Sequence, residues 1–129
     1  MSPGEAFTED QRREIEKSIR DADRISGLEF SVHVGPSDGD SRRTAEALHS
    51  ALPHPATSVL VHVDPVQRTL EIVTGSSARY ALNNQQVALA SLTMQSAFAA
   101  GDLAGGLRAG VVQLGSLAVP DTSLHTDTP

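Results

Sequence analysis

The stretch that most constrains this chain is residues 57–75, TSVLVHVDPVQRTLEIVTG. Two β-branched runs, 57–63 and 68–74, flank Asp64-Pro65-Val66-Gln67, where Pro at the second turn position presets φ for a type I turn. The spacing predicts an antiparallel hairpin. Its first run is apolar at Val59, Leu60, Val61 and Val63, as a strand covered on both faces would be, while the second alternates Leu70 and Ile72 against Thr69 and Glu71. The first strand should therefore be central and the second nearer an edge.

The flanking segments supply what such a hairpin needs for burial. Thr8 and Gln11 form a capping box for a helix over 9–26, with Ile15, Ile19 and Ala22 at helical spacing and Gly27 as its left-handed stop. Residues 28–34 alternate Phe30, Val32 and Val34 against Glu29, Ser31 and His33, the period of a strand. After a Gly/Pro/Asp loop, Asp40 or Ser41 can cap a second helix through about 52, with Ala45, Leu48 and Leu52 inward and Pro53 as its stop. A helix between two strands makes a βαβ unit, so the strands at 28–34 and 57–63 should be parallel. Residues 76–82 read as a loop. Asn83, with Gln86 completing a capping box, starts a third helix striped by Val87, Ala90, Met94 and Phe98. Gly101 ends it and Asp102 starts a fourth, striped by Leu103, Leu107, Val111, Leu114 and Leu117. On that helix Gly106 and Gly110 each cost about 1 kcal/mol relative to Ala, which close packing against a neighbour would offset. The expected architecture is a three-layer α/β sandwich: a small mixed sheet, parallel βαβ plus an antiparallel hairpin strand, with four helices on its faces. It should occupy residues 7–118 as one domain, between a flexible stretch 1–6 and a disordered tail 119–129.

Composition removes several function classes. Only 3% of residues are aromatic against 39% hydrophobic, so the core must be aliphatic. A net charge of −6, with Lys and Arg interleaved among acids, argues against nucleic acid or an anionic membrane surface as partner. The absence of Cys excludes disulfides, thiolate catalysis and Cys-based zinc. No basic-then-apolar leader and no apolar run near the ~20 residues of a membrane span is visible, so a cytoplasmic protein is expected.

With the element order assembled, the residues resemble the TPM domain, named in part for thylakoid-lumen acid phosphatase and photosystem-repair proteins. The likeness covers roughly residues 7–118 and rests on an ordered set of segments. These are Phe7-Thr8-Glu9-Asp10-Gln11, the run from Val59 through Asp64 to Arg68, Leu70-Glu71-Ile72-Val73-Thr74-Gly75, and Phe98-Ala99-Ala100-Gly101-Asp102-Leu103-Ala104-Gly105-Gly106-Leu107. It is most similar to a small actinobacterial branch of unknown function. The resemblance implies an α/β sandwich, and for function it implies acid phosphatase activity, divalent-metal binding or the assembly and repair of protein complexes. Two acids common in the family are replaced: a Gly-Leu-Glu-like stretch by Ser-Ser-Ala-Arg-Tyr-Ala-Leu, and an Asp opening the next helix by Asn83. Neutral Asn is a weaker ligand for hard cations and no base, which weakens the enzyme reading.

In an open α/β sheet ligands tend to sit beyond the carboxyl ends of the parallel strands. Asp38, Asp40 and Asp64 fall there and could hold Ca²⁺ or Mg²⁺, with Arg68 as a phosphate clamp; against this, Asp is a common turn residue and the spacing fails the calcium-loop pattern. At the opposite edge, Arg79 and the helix start at Asn83 could receive an anion, or be a plain connection. His33 and His62 lie on strands, and a register placing Glu71 beside them would compose a His-His-Glu zinc set, although sheet histidines are more often packed under helices. The expected role is a non-catalytic binding or assembly module with a protein or small-molecule partner and no cofactor. The alternatives are a divalent-metal-dependent, acid-phosphatase-like hydrolase, and a scaffold that forms homodimers through the edge strand 68–74.

Overall fold

A computed structural model describes residues 7–118; the stretches 1–6 and 119–129, expected to be flexible and disordered, lie outside the described residues. The elements are α1 (Glu9–Ser26), β1 (Glu29–Val34), α2 (Ser41–Ser50), a 3₁₀ turn (Pro55–Thr57), β2 (Ser58–Asp64), β3 (Thr69–Thr74), α3 (Ala78–Ala81), α4 (Asn84–Ala99) and α5 (Leu103–Leu117). The sheet has the order β1-β2-β3, with β1 parallel and β3 antiparallel to β2. The central strand is the one with the two-sided apolar run, and every residue of it is buried.

Alternation along the strands sorts the core into two layers. Phe30, Val59, Val61, Val63 and Ile72 face α1, α4 and α5, whose Ile15, Ala22, Ala90, Met94, Leu107, Val111 and Leu114 complete the larger layer. On the other face Leu60 and Val73 meet Ala45, with Leu48 and Leu52 packed alongside. Both capping boxes form: Thr8 with Gln11 opens α1, and Asn83 with Gln86 opens α4. Gly106 and Gly110 are where α5 meets α4. A Cβ at Gly106 would lie 2.7 Å from Phe98 Cε1, and one at Gly110 would collide with Met94. Gly115 likewise lets α5 close on Ala22 of α1.

Two expectations are corrected. Residues 76–82 are not all loop, because Ala78–Ala81 close one helical turn, with the N–H of Leu82 bonded to the carbonyl of Ala78; the helices among the described residues number five rather than four. The turn pays for itself by burying Ala78 and Leu82 against the core. Helix α2 stops at Ser50, two residues early, since the N–H of Ala51 and of Leu52 already turn back onto Leu48 and His49.

Candidate functional site

The register aligns His33, His62 and Glu71 in one row across the three strands, on the face covered by α2. Their functional groups are spent on neighbours. His33 Nδ1 lies 3.0 Å from His62 Nδ1, a contact that holds a single proton between the rings. Burial, and then the neighbouring His62, hold the His33 imidazole below its ordinary pKa. His62, fully buried, uses its Nε2 on Ser37 Oγ at 3.0 Å. Glu71 accepts from Ser41 Oγ at 2.7 Å and has Arg42 at 3.7 Å, while Arg42 also donates to the Ile72 carbonyl. Among the described residues no three His, Asp or Glu side chains are grouped so as to hold a metal ion, the His33, His62 and Glu71 row included.

Asp64 ends the central strand, 1% exposed, and fastens two loops. Its Oδ2 accepts the Ser37 N–H at 2.8 Å, and its Oδ1 accepts those of Val66 and Gln67 at 3.0 and 3.1 Å. These donors, Ser37 first, hold the carboxyl below the usual carboxylate range. Ser37 and His62 have the spacing of a nucleophile and its base. The nearest candidates for oxyanion donors are committed elsewhere, however: the N–H of Ser37 goes to Asp64 and that of Asp38 to Thr44 Oγ1 at 3.0 Å.

On the opposite face the same hairpin borders an open cleft of about 560 Å³. Val63 and Leu70 of the sheet, Phe98 and Ala99 at the end of α4, and Leu103 at the start of α5 form its apolar lining. Arg68, Thr69, Gln95 and the end of β2 complete it. Arg68 is the last residue of the four-residue connection and has φ +59, the one non-glycine residue in left-handed backbone among those described. It makes no hydrogen bond or ion pair with another described residue. Thr69 follows it, and its buried hydroxyl has no partner.

The expected site residues therefore separate. Asp64 and Arg68 share the cleft. Asp40 is instead the N-cap of α2, accepting from the N–H groups of Arg42 and Arg43, and the exposed Asp38 lies in the loop before it. Asn83 caps α4, and Arg79 donates to the Thr74 carbonyl at 3.3 Å. With Arg42 on Ile72, two guanidinium groups thus cover carbonyls on the outer edge of β3. Sequence reasoning placed Ser37 at the carboxyl edge of the sheet but did not pair it with His62, and it missed the cleft. A usable signal was present: the last position of a four-residue hairpin loop favours Gly or Asn, and Arg68 stands there.

No helix among the described residues is long and apolar enough to cross a membrane. The fold is similar to that of the BA42 protein from the psychrophilic bacterium Bizionia argentinensis (TM-score 0.79, 22% identity, 87% of this chain and 81% of that one). It is also similar to the N-terminal domain of cg2496 from Corynebacterium glutamicum (TM-score 0.73, 18% identity, 87% and 74%). A third similar structure is the N-terminal domain of a P. gingivalis protein (TM-score 0.70, 24% identity, 94% and 82%). These likenesses concern the fold. Residues 2–115 match one family along nearly the whole chain, and the chain belongs to it: a domain of unknown function, DUF5130.

Proposed function

We propose that this chain is a non-catalytic binding module of the TPM type, working in the cytoplasm, and that its ligand sits in the hairpin cleft. The observation that carries this reading is a local backbone cost on the cleft wall. Arg68, exposed and without a partner among the described residues, occupies left-handed backbone, which costs an L-residue roughly 1–2 kcal/mol. Such costs cluster at ligand clamps, and Arg68 borders an apolar concavity whose volume falls within the range of small-molecule sites. The polar row on the α2 face supports the non-catalytic half of the reading. Its groups bond to one another or to backbone, which holds loops in place and leaves no prepared electrophile or oxyanion donor.

A fragment screen by amide NMR tests the site. Hits are expected to cluster on Val63, Leu70, Phe98 and Leu103; hits that avoid these residues would overturn it. The phosphatase alternative draws on Asp64 and Arg68 sharing the cleft, but both Asp64 oxygens are already engaged by backbone N–H groups. Assay of p-nitrophenyl phosphate with Mg²⁺, Ca²⁺, Mn²⁺ and Zn²⁺ is expected to show no turnover. Turnover that disappears in Arg68→Gln would establish a hydrolase instead.

A further inference from the structure

We infer that the ligand of the cleft is a small aliphatic monocarboxylate, its acid group held by Arg68 and its apolar body lying against Leu70, Phe98 and Leu103. The inference rests on the cleft being the binding site and adds the chemistry of what it binds. Arg68 is the one cation on the cleft wall, exposed and unpaired among the described residues. Its planar fork matches the two oxygens of a carboxylate. The other charged group there, Asp64, would repel an anion if its charge were free. Three backbone N–H groups engage it, however, and its side chain belongs to the α2 face of the sheet, since Asp64 pairs with Thr69 in the same alternation as His62 with Glu71. Below the guanidinium the lining is aliphatic and aromatic, with the Gln95 amide as a further polar group and no second cation. A ligand with one negative end and an otherwise apolar body matches that distribution. A doubly charged phosphate would meet a single partner and leave the apolar wall unused. The whole chain carries −6, so anions are not gathered by its general field, and capture here depends on the local fork and wall.

The test is an amide NMR titration of the wild-type chain with octanoate, 1-octanol and acetate, repeated on Arg68→Gln and Arg68→Lys. Octanoate is expected to move the amides of Val63, Leu70, Phe98 and Leu103 and to bind about tenfold tighter than octanol, the factor that one charge-assisted hydrogen bond supplies. Acetate should leave those amides unmoved. Arg68→Gln should reduce octanoate to the level of octanol, and Arg68→Lys, which keeps the charge but loses the fork, should fall between. Equal binding of octanoate and octanol at these amides would overturn carboxylate recognition while leaving the cleft as the site. An equal response to acetate would overturn the role of the apolar body. If neither octanoate nor octanol moves the cleft amides, the inference falls together with the reading beneath it.

Discussion

On the α2 face of the sheet, His33, His62, Ser37, Asp64, Glu71 and Arg42 bond to one another or to backbone. On the other face the same hairpin borders an apolar cleft whose arginine bonds to no described residue and stands in a backbone conformation that costs it energy. The polar face contains the residue types that suggest chemistry, and it uses them to fasten loops. The apolar face looks like ordinary core by composition, and it retains the unspent group. In this fold the residue types that suggest chemistry are engaged in structure, while the side chain with free hydrogen-bonding capacity stands on the other face.

The largest effect that sharpens this contrast is expected at Asp64. Asn in its place can accept at one oxygen, but it turns a donor toward one of the three backbone N–H groups and surrenders the charge that strengthens the rest. Leaving a buried donor unpaired costs about 1–3 kcal/mol, and bonds to a charged acceptor are worth more than neutral ones. Asp64→Asn should therefore lose about 3 kcal/mol in urea unfolding at neutral pH. A loss below about 1 kcal/mol would mean that the fastening is not what the carboxylate is for, and the claim that this face is structural would fail.

A smaller effect on the same face follows from protonation. The His33 pKa in the native state lies below that of an unfolded histidine, near 6.5, so between those two values the unfolded chain binds more protons. The stability contributed by neutral His33 is thus complete above about pH 6.5 and is lost as pH falls through that window toward the native pKa. Asp64, whose native pKa is also depressed, adds a second loss only below about pH 4, as pH falls through its native pKa. Urea midpoints measured from pH 7.5 to 5 should decline for the wild type and decline less for His33→Asn. Identical slopes would assign the pH dependence to other groups.

How far the sequence reaches is clear from the same residues. The hairpin, the two capping boxes and the packing role of Gly106 and Gly110 were legible because each rests on contacts within a few residues or on a periodic stripe. The row of His33, His62 and Glu71 was legible only as a possibility, because aligning His33 with His62 depends on the register between strands 29 residues apart. What those side chains do once aligned depends on Ser37 and Ser41, which arrive from a loop and a helix start and have no periodic signature. For the cleft, Asp64 and Arg68 were identified from their position at the strand ends. Its walls come from the meeting of α4 with α5, whose angle no local pattern encodes. The carboxylates of Asp38 and Asp40 were grouped with Asp64 because all three follow the carboxyl ends of the parallel strands, a topological reason that does not say where each side chain points; the N-cap of α2 takes Asp40.

The smallest effect tests the other side of the contrast, and its sign matters more than its size. Arg68→Gly removes a left-handed backbone penalty of roughly 1–2 kcal/mol and returns about 0.4–1 kcal/mol to the unfolded chain as added freedom. Because Arg68 makes no hydrogen bond or ion pair with a described residue, little else is lost on folding. The variant should be as stable as the wild type or gain about 0.5 kcal/mol, near 2 °C in Tm for a chain of this length. Charge loss at an exposed site contributes little at moderate salt. A gain in stability coupled to loss of octanoate binding is what a residue kept for its ligand should give, since the fold would prefer glycine there. A loss above about 1 kcal/mol would show that the Arg68 side chain holds the hairpin against α4. Its left-handed backbone would then be offset by packing, and the cleft would lose the observation that distinguishes it from a gap between helices.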